Sequence, residues 1–165
     1  MVAPNRPMPA RPVSRFATTP KGPFMDFTRL EQVWAPRVLG ALRIIAALIF
    51  MAHGAQKLLA FPAPPPNGQP PLLSLLGVGG VLELVGGLLL LLGLFTRPVA
   101  FLLAGEMAVA YWFFHAPRNF FPVLNGGDAA ILYCFVFLYL SVAGPGAFSL
   151  DERMGMERRR PLVAA

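Results

Sequence analysis

Arg43, Glu83 and Glu106 are the residues best placed to do chemistry, because each interrupts an otherwise apolar run. Glu83 is the only charged side chain between Leu72 and Leu94, a stretch reading LLSLLGVGGVLELVGGLLLLLGL. A charged side chain at bilayer mid-depth costs on the order of 2.5–3.5 kcal/mol on insertion scales, so such a group faces protein or trapped water rather than lipid. Counting ~1.5 Å per helical residue puts Arg43 ~10 Å, Glu106 ~12 Å and Glu83 ~14 Å from the same membrane face. The three are expected to share a layer. There Arg43 neutralises one carboxylate as a bidentate pair, and the other is protonated or bonded by Tyr133 or Tyr139. Two readings fit such a cluster: a proton-exchanging or ligand-orienting site, or a structural ion cluster that fixes helix order.

A second polar set gathers nearer the opposite face. His53 and Lys57 are four apart, share one side of a helix and are expected to point inward. Asp128, which opens the last apolar segment, is the expected contact of Lys57. His115 and Arg118 read as parts of an interfacial belt with Tyr111, Trp112, Phe113 and Phe114. Two histidines without a third ligand at useful spacing make no metal site. Cys134 stands alone, so an intrachain disulfide or a CxxC redox pair is ruled out, and the chain's own thiols are not expected to carry electrons.

These residues must be held by helices in a membrane. Hydrophobic residues make up 56% of the chain and charged residues 13%, against roughly 25% charged in an ordinary globular domain. Apolar stretches at about 36–60, 72–95, 98–116 and 128–144 predict an all-α, four-helix transmembrane bundle, with no room for a separate soluble catalytic domain. The expected organisation is a 1–35 tail with a short amphipathic segment, a 36–146 membrane domain and a 147–165 basic tail. The net charge of +6 is carried largely by the tails: Arg6, Arg11, Arg15, Lys21, Arg29 and Arg37 before or at the start of the first span, and Arg153, Arg158, Arg159 and Arg160 after the last. That bias predicts both termini in the cytoplasm and a multi-pass protein of the inner (plasma) membrane. Anionic lipid, not nucleic acid, is the expected partner of these tails.

The connecting segments carry their own signals. Residues 1–23 are Pro-rich and expected to be disordered, and their six prolines argue against an organelle presequence. Phe24, Phe27, Leu30, Val33 and Trp34 recur at near-helical spacing among Asp26, Arg29 and Glu31, and Pro36 is expected to redirect the chain into the bilayer. The run 62–71 reads as an extended outer loop. Thr96 is expected to cap the third span, Asn125-Gly126-Gly127 to turn, and Ser149-Leu150-Asp151-Glu152 to form a capping box. Gly79, Gly86 and Gly93, shadowed by Gly80 and Gly87, form a stripe on which another backbone can pack, and Gly40, Ala47 and Gly54 do the same on the first span.

The order and spacing of these residues resemble the DoxX family of small four-span membrane proteins. The likeness rests on Arg43 followed by His53-Gly54-Ala55-Gln56-Lys57, on Glu83-Leu84-Val85-Gly86-Gly87 with Gly93-Leu94-Phe95-Thr96-Arg97, and on Glu106. It continues through Asn125-Gly126-Gly127-Asp128, Leu132-Tyr133, Gly144-Pro145-Gly146 and Ser149-Leu150-Asp151, and covers about 38–153. The Pro-rich tail and first loop stand outside the pattern. The resemblance implies a four-helix membrane bundle. Relatives in the family include a subunit associated with thiosulfate:quinone oxidoreductase and proteins of membrane complexes that handle thiol and oxidative stress. It thus implies a redox-associated, quinone-linked subunit, with no family catalytic set to carry over.

No flavin, haem or Fe–S motif is present in the sequence, so no intrinsic cofactor is expected and a redox centre would belong to a protein partner. Quinone is the one diffusible cofactor implied. The alternative is a non-enzymatic accessory subunit of a larger membrane assembly, suggested by the Pro-rich tail. A small transporter or proton path is disfavoured, since neither inverted-repeat halves nor broken helices can be read in the sequence.

Overall fold

The computed structural model describes Phe27 and residues 30–156. The Pro-rich segment 1–23, together with Phe24, Asp26, Arg29 and Arg158 to Arg160, lies outside the described residues. Every regular element described is helical: α1 (Leu30–Leu59), α2 (Leu75–Leu92), α3 (Thr96–His115), α4 (Pro122–Asn125), α5 (Asp128–Ala143) and α6 (Leu150–Arg153). Helices α1, α2 and α3 are long and apolar enough to cross a membrane. Helix α5 is apolar but has 16 residues, or ~24 Å at ~1.5 Å per residue. The all-α expectation therefore holds, with three full-length candidate spans and one shorter apolar helix.

Several boundaries differ from those read in the sequence. Pro36 does not redirect the chain; α1 runs through it, opening with a π-turn at Leu30–Trp34. A proline crowds the carbonyl four residues back, which the wider turn relieves, and its missing N–H costs little in the first turn of the α-helical part. Helix α2 begins at Leu75 rather than Leu72, because the hydroxyl of Ser74 accepts from Gly77 N at 3.1 Å and fixes the N-terminus there. Its other end closes on Gly93 in the left-handed region, with Leu94 N donating to Leu89 O at 2.9 Å.

Thr96 does not cap α3. Its hydroxyl is buried with no partner among the described residues. The cap comes instead from Asp151, whose two carboxylate oxygens each accept a 2.8 Å bond, from Phe95 N and Thr96 N. Ser149 accepts from Glu152 N at 3.2 Å, as the capping-box spacing predicts.

Helix α1 packs along α2, and α3 along α5. The core is assembled from small residues and a few large ones, with Ala46, Ala47, Phe50, Leu90, Leu103, Phe137 and Leu140 buried. Phe50 of α1 meets Phe137 of α5 edge-on at 4.8 Å between ring centroids and Tyr133 at 5.2 Å, joining the two helix pairs. Around this core the outer faces carry exposed Val38, Ile45, Ile49, Phe101, Leu102, Leu132 and Phe135. Apolar cover on that scale belongs against lipid.

The two glycine stripes of α2 serve different neighbours. Gly80 and Gly87 face α1, beside the Lys57 and Met51 side chains, while Gly79 and Gly86 face α3, beside Glu106 and Leu103. Gly93 belongs to neither, being the helix terminator. On α1 a Cβ at Gly54 would stand 2.6 Å from Leu84 N and 2.8 Å from Gly80 O, both backbone atoms that cannot swing away. Gly54→Ala is therefore expected to destabilise the fold by about 1–3 kcal/mol. Gly105→Ala, whose Cβ meets nothing within 4 Å, is expected to leave stability unchanged. Thermal unfolding of both variants in detergent, followed by circular dichroism, checks the pair.

Candidate functional site

Arg43 does not join the carboxylates. It is fully buried, 0% exposed, at the end of the bundle where α2 and α5 finish. Its Nε donates to Pro145 O at 2.8 Å, one terminal nitrogen to Leu90 O and, at 2.8 Å, to Leu91 O, and the other to Phe148 O at 2.9 Å and Ala147 O at 3.3 Å. Helix C-termini leave carbonyls without intrahelical partners, and the guanidinium carries five N–H donors in a fixed fork. Those carbonyls compete successfully with a carboxylate. Leu90 and Leu91 lie seven and eight residues beyond Glu83 on α2, so Arg43 and Glu83 are separated by ~11 Å along the helix axis rather than sharing a layer.

The cation that reaches Glu83 is Lys57. Its ammonium stands 2.6 Å from Glu83 Oε1, and Glu83 is 3% exposed. This replaces the expected Lys57–Asp128 contact; Asp128 is exposed at the start of α5. The close approach at Gly54 and Gly80 makes the pair possible, because it brings Lys57 and Glu83 to the same α1–α2 seam. Glu83 also lies within a π-turn, Leu82–Gly86, a local widening of α2 that the sequence did not reveal. Such turns recur at functional positions in helices.

Glu106 of α3 meets this pair across a cleft. The cleft has a volume of about 490 Å³ and lies between α2 and α3, with Lys57, Glu83 and Glu106 as its charged lining residues. Gly79 and Gly105 supply room where other residues would fill it, and Leu82, Phe101, Leu102 and Val109 make its walls apolar. Because Val78, Phe101 and Leu102 are also exposed on the outside of the bundle, the cleft opens on the surface that lipid covers. Glu83 Oε2 and Glu106 Oε2 are both buried and without a hydrogen-bond partner among the described residues.

The remaining candidates are placed elsewhere. His53 is exposed on α1 instead of lining the cleft, and Tyr139 is exposed on α5. Tyr133 packs on Phe50 and Phe137, and neither tyrosine supplies the donor expected for the second carboxylate oxygen. At the other end of the bundle His115 Nδ1 is 3.1 Å from Asn125 O, while Asn125 is buried, accepting from Gly127 N and donating to Asn119 O. That cluster shapes the turn into α5, and Arg118 is exposed beside it. Sequence reasoning gave no role to Ser74 or Gly105 and read Asp151 only as part of a local capping box. A serine just before an apolar run is an N-cap signal that was available; the reach of Asp151 to α3 spans 55 residues and has no local signature.

An apolar helical bundle with charged groups confined to an internal cleft and to the helix ends defines a multi-pass integral membrane protein. The DoxX family model matches residues 38–116. An uncharacterized protein of Haemophilus influenzae is 45% identical over 124 residues, covering 73% of this chain and 92% of its own length. The inner membrane protein YphA of Escherichia coli is 30% identical over 128 residues, covering 72% of this chain and 91% of its own, and the inner membrane protein YqjF is 30% identical over 119 residues, covering 67% and 86%. No solved structure matches the chain. The chain belongs to the DoxX family, and its relatives place it in the inner membrane.

Removing Lys57 leaves the buried Glu83 carboxylate without its partner. Lys57→Met is expected to cost about 2–3 kcal/mol in detergent unfolding, and the Lys57→Met/Glu83→Leu double variant to regain most of it. A double variant no more stable than the single one would contradict the pairing. Arg43→Lys keeps the charge but has three donors for five carbonyls, so it is expected to lower the unfolding midpoint clearly, whereas a simple charge requirement would leave the midpoint in place.

Proposed function

We propose that this chain is a redox-associated, quinone-linked subunit of a membrane complex, with both tails in the cytoplasm. The observation that carries the reading is the cleft between α2 and α3, open on the lipid-covered surface and bearing Lys57, Glu83 and Glu106 among apolar walls. A quinone is an apolar body with two polar oxygens that travels within the bilayer. Its route into such a cleft is lateral, and the cleft volume falls within the roughly 300–1,000 Å³ usual for small-molecule sites. The ammonium of Lys57 spends one N–H on Glu83 and keeps others for a ligand carbonyl, and the carboxyl groups are placed to exchange protons with a bound headgroup. The redox centre is assigned to a partner, because the sequence carries no flavin, haem or Fe–S motif. The cytoplasmic placement of the tails is supported by their excess of arginine and lysine.

The test begins with protein purified from native membranes in mild detergent, extracted and analysed for quinone by chromatography. Quinone is expected to co-purify, and Gly105→Leu, which fills open space in the cleft, to abolish it without lowering the unfolding temperature. Wild-type protein free of quinone, or quinone retained undiminished by Gly105→Leu, would sink the proposal.

A further inference from the structure

The polar inventory of the cleft is lopsided. It holds one cationic donor, Lys57, already committed to Glu83 Oε1 at 2.6 Å, against two carboxylates. Glu83 Oε2 and Glu106 Oε2 have no donor among the described residues, and both are shielded from solvent. Glu83 itself is 3% exposed, so bulk water does not meet that demand. A buried acceptor without a donor costs about 1–3 kcal/mol, and more when charged.

We propose that the cleft selects the reduced, hydroxyl-bearing form of its ligand, a quinol, over the corresponding quinone, and that Glu106, set across the cleft from the Lys57–Glu83 pair, is the residue that reads the difference. This rests on the quinone-linked reading of the same cleft and adds which redox state it holds. A quinol presents O–H donors, the complement of a Glu106 carboxyl group that has an unpartnered oxygen among the described residues. A quinone presents only carbonyl lone pairs; one can accept from Lys57, but the other is turned toward an acceptor. The terminal torsion of a glutamate is broad, so rotation presents either oxygen of Glu106 to the cleft at little cost. Discrimination of this kind, in which the wrong ligand leaves buried polar groups unpaired, is far stronger than discrimination by apolar fit. The glycines at 79 and 105 leave the headgroup room beside the carboxylates.

The proposal is tested with purified full-length protein in detergent under argon, using decylubiquinol and decylubiquinone as probes of the same body in the two states. Wild-type protein is expected to bind the quinol about tenfold or more tightly than the quinone. Glu106→Gln, which places an amide donor where the structure has an acceptor, is expected to bring the two affinities together by weakening quinol binding and strengthening quinone binding. Equal affinities in the wild type, or a preference for the quinone, overturn this inference and leave the quinone-linked site standing. Binding of neither form overturns the quinone-linked reading itself.

Discussion

The five hydrogen bonds from Arg43 to backbone carbonyls are the constraint on which the rest of the bundle depends. A membrane-embedded helix end cannot leave its last carbonyls bare, because no water is present to bond them. Helix α2 ends at Leu92, and the chain after α5 folds back beneath it at Pro145 to Phe148. One guanidinium from α1 satisfies carbonyls from both segments at once. The fold-back in turn carries Asp151 to the first turn of α3, where its carboxylate caps Phe95 N and Thr96 N. A cation held by carbonyls and an anion held by amides thus tie all four long helices together at one end. Their charges are matched to the partial charges of the helix termini they touch.

With that end fixed, the other polar groups are left to the opposite half of the bundle. The close approach of α1 and α2 over Gly54 and Gly80 sets Lys57 against Glu83, and the glycines on the other side of α2 keep α3 near without filling the gap. The cleft is a consequence of that arrangement. Gly79 and Gly105 leave volume where a leucine would close the seam, and the volume falls beside the buried charges. A bundle built only for stability would place apolar side chains there, since well-packed hydrophobic residues match or exceed a buried ion pair in stability.

Much of this was legible in the sequence. The helical class, the apolar segments and the presence of Glu83 and Glu106 in one region follow from hydropathy and residue counting. Counting failed for Arg43 because depth alone takes the nearest opposite charge as the partner. It ignores backbone carbonyls, which the sequence does not announce. It failed for Lys57 because an outer-end location suggested Asp128, whereas α2 starting at Leu75 and the tight α1–α2 seam moved the meeting point to Glu83. The π-turn at Leu82–Gly86 and the reach of Asp151 across 55 residues are products of tertiary packing, and no local pattern encodes them. Ser74 is the exception, a local N-cap signal for a start at Leu75 that hydropathy alone, which opens the span at Leu72, passes over.

The buried Arg43 and the half-buried Lys57 are not interchangeable, and the difference bears on what each place does. Arg43 stands where every donor has an acceptor, and its planar fork leaves nothing unmet. At position 57 an arginine could grip both oxygens of Glu83 as a bidentate pair and saturate it. Lysine is a point donor, and it holds Oε1 alone. The consequence is that Glu83 is fixed in place and partly neutralised while Oε2 keeps its accepting capacity. A purely structural ion pair gains nothing from that residual capacity and loses free energy by burying it. The chain thus carries a saturated cation where the helices are tied and an unsaturated pair where the cleft opens, which is the division of labour expected between a structural anchor and a site that receives a ligand.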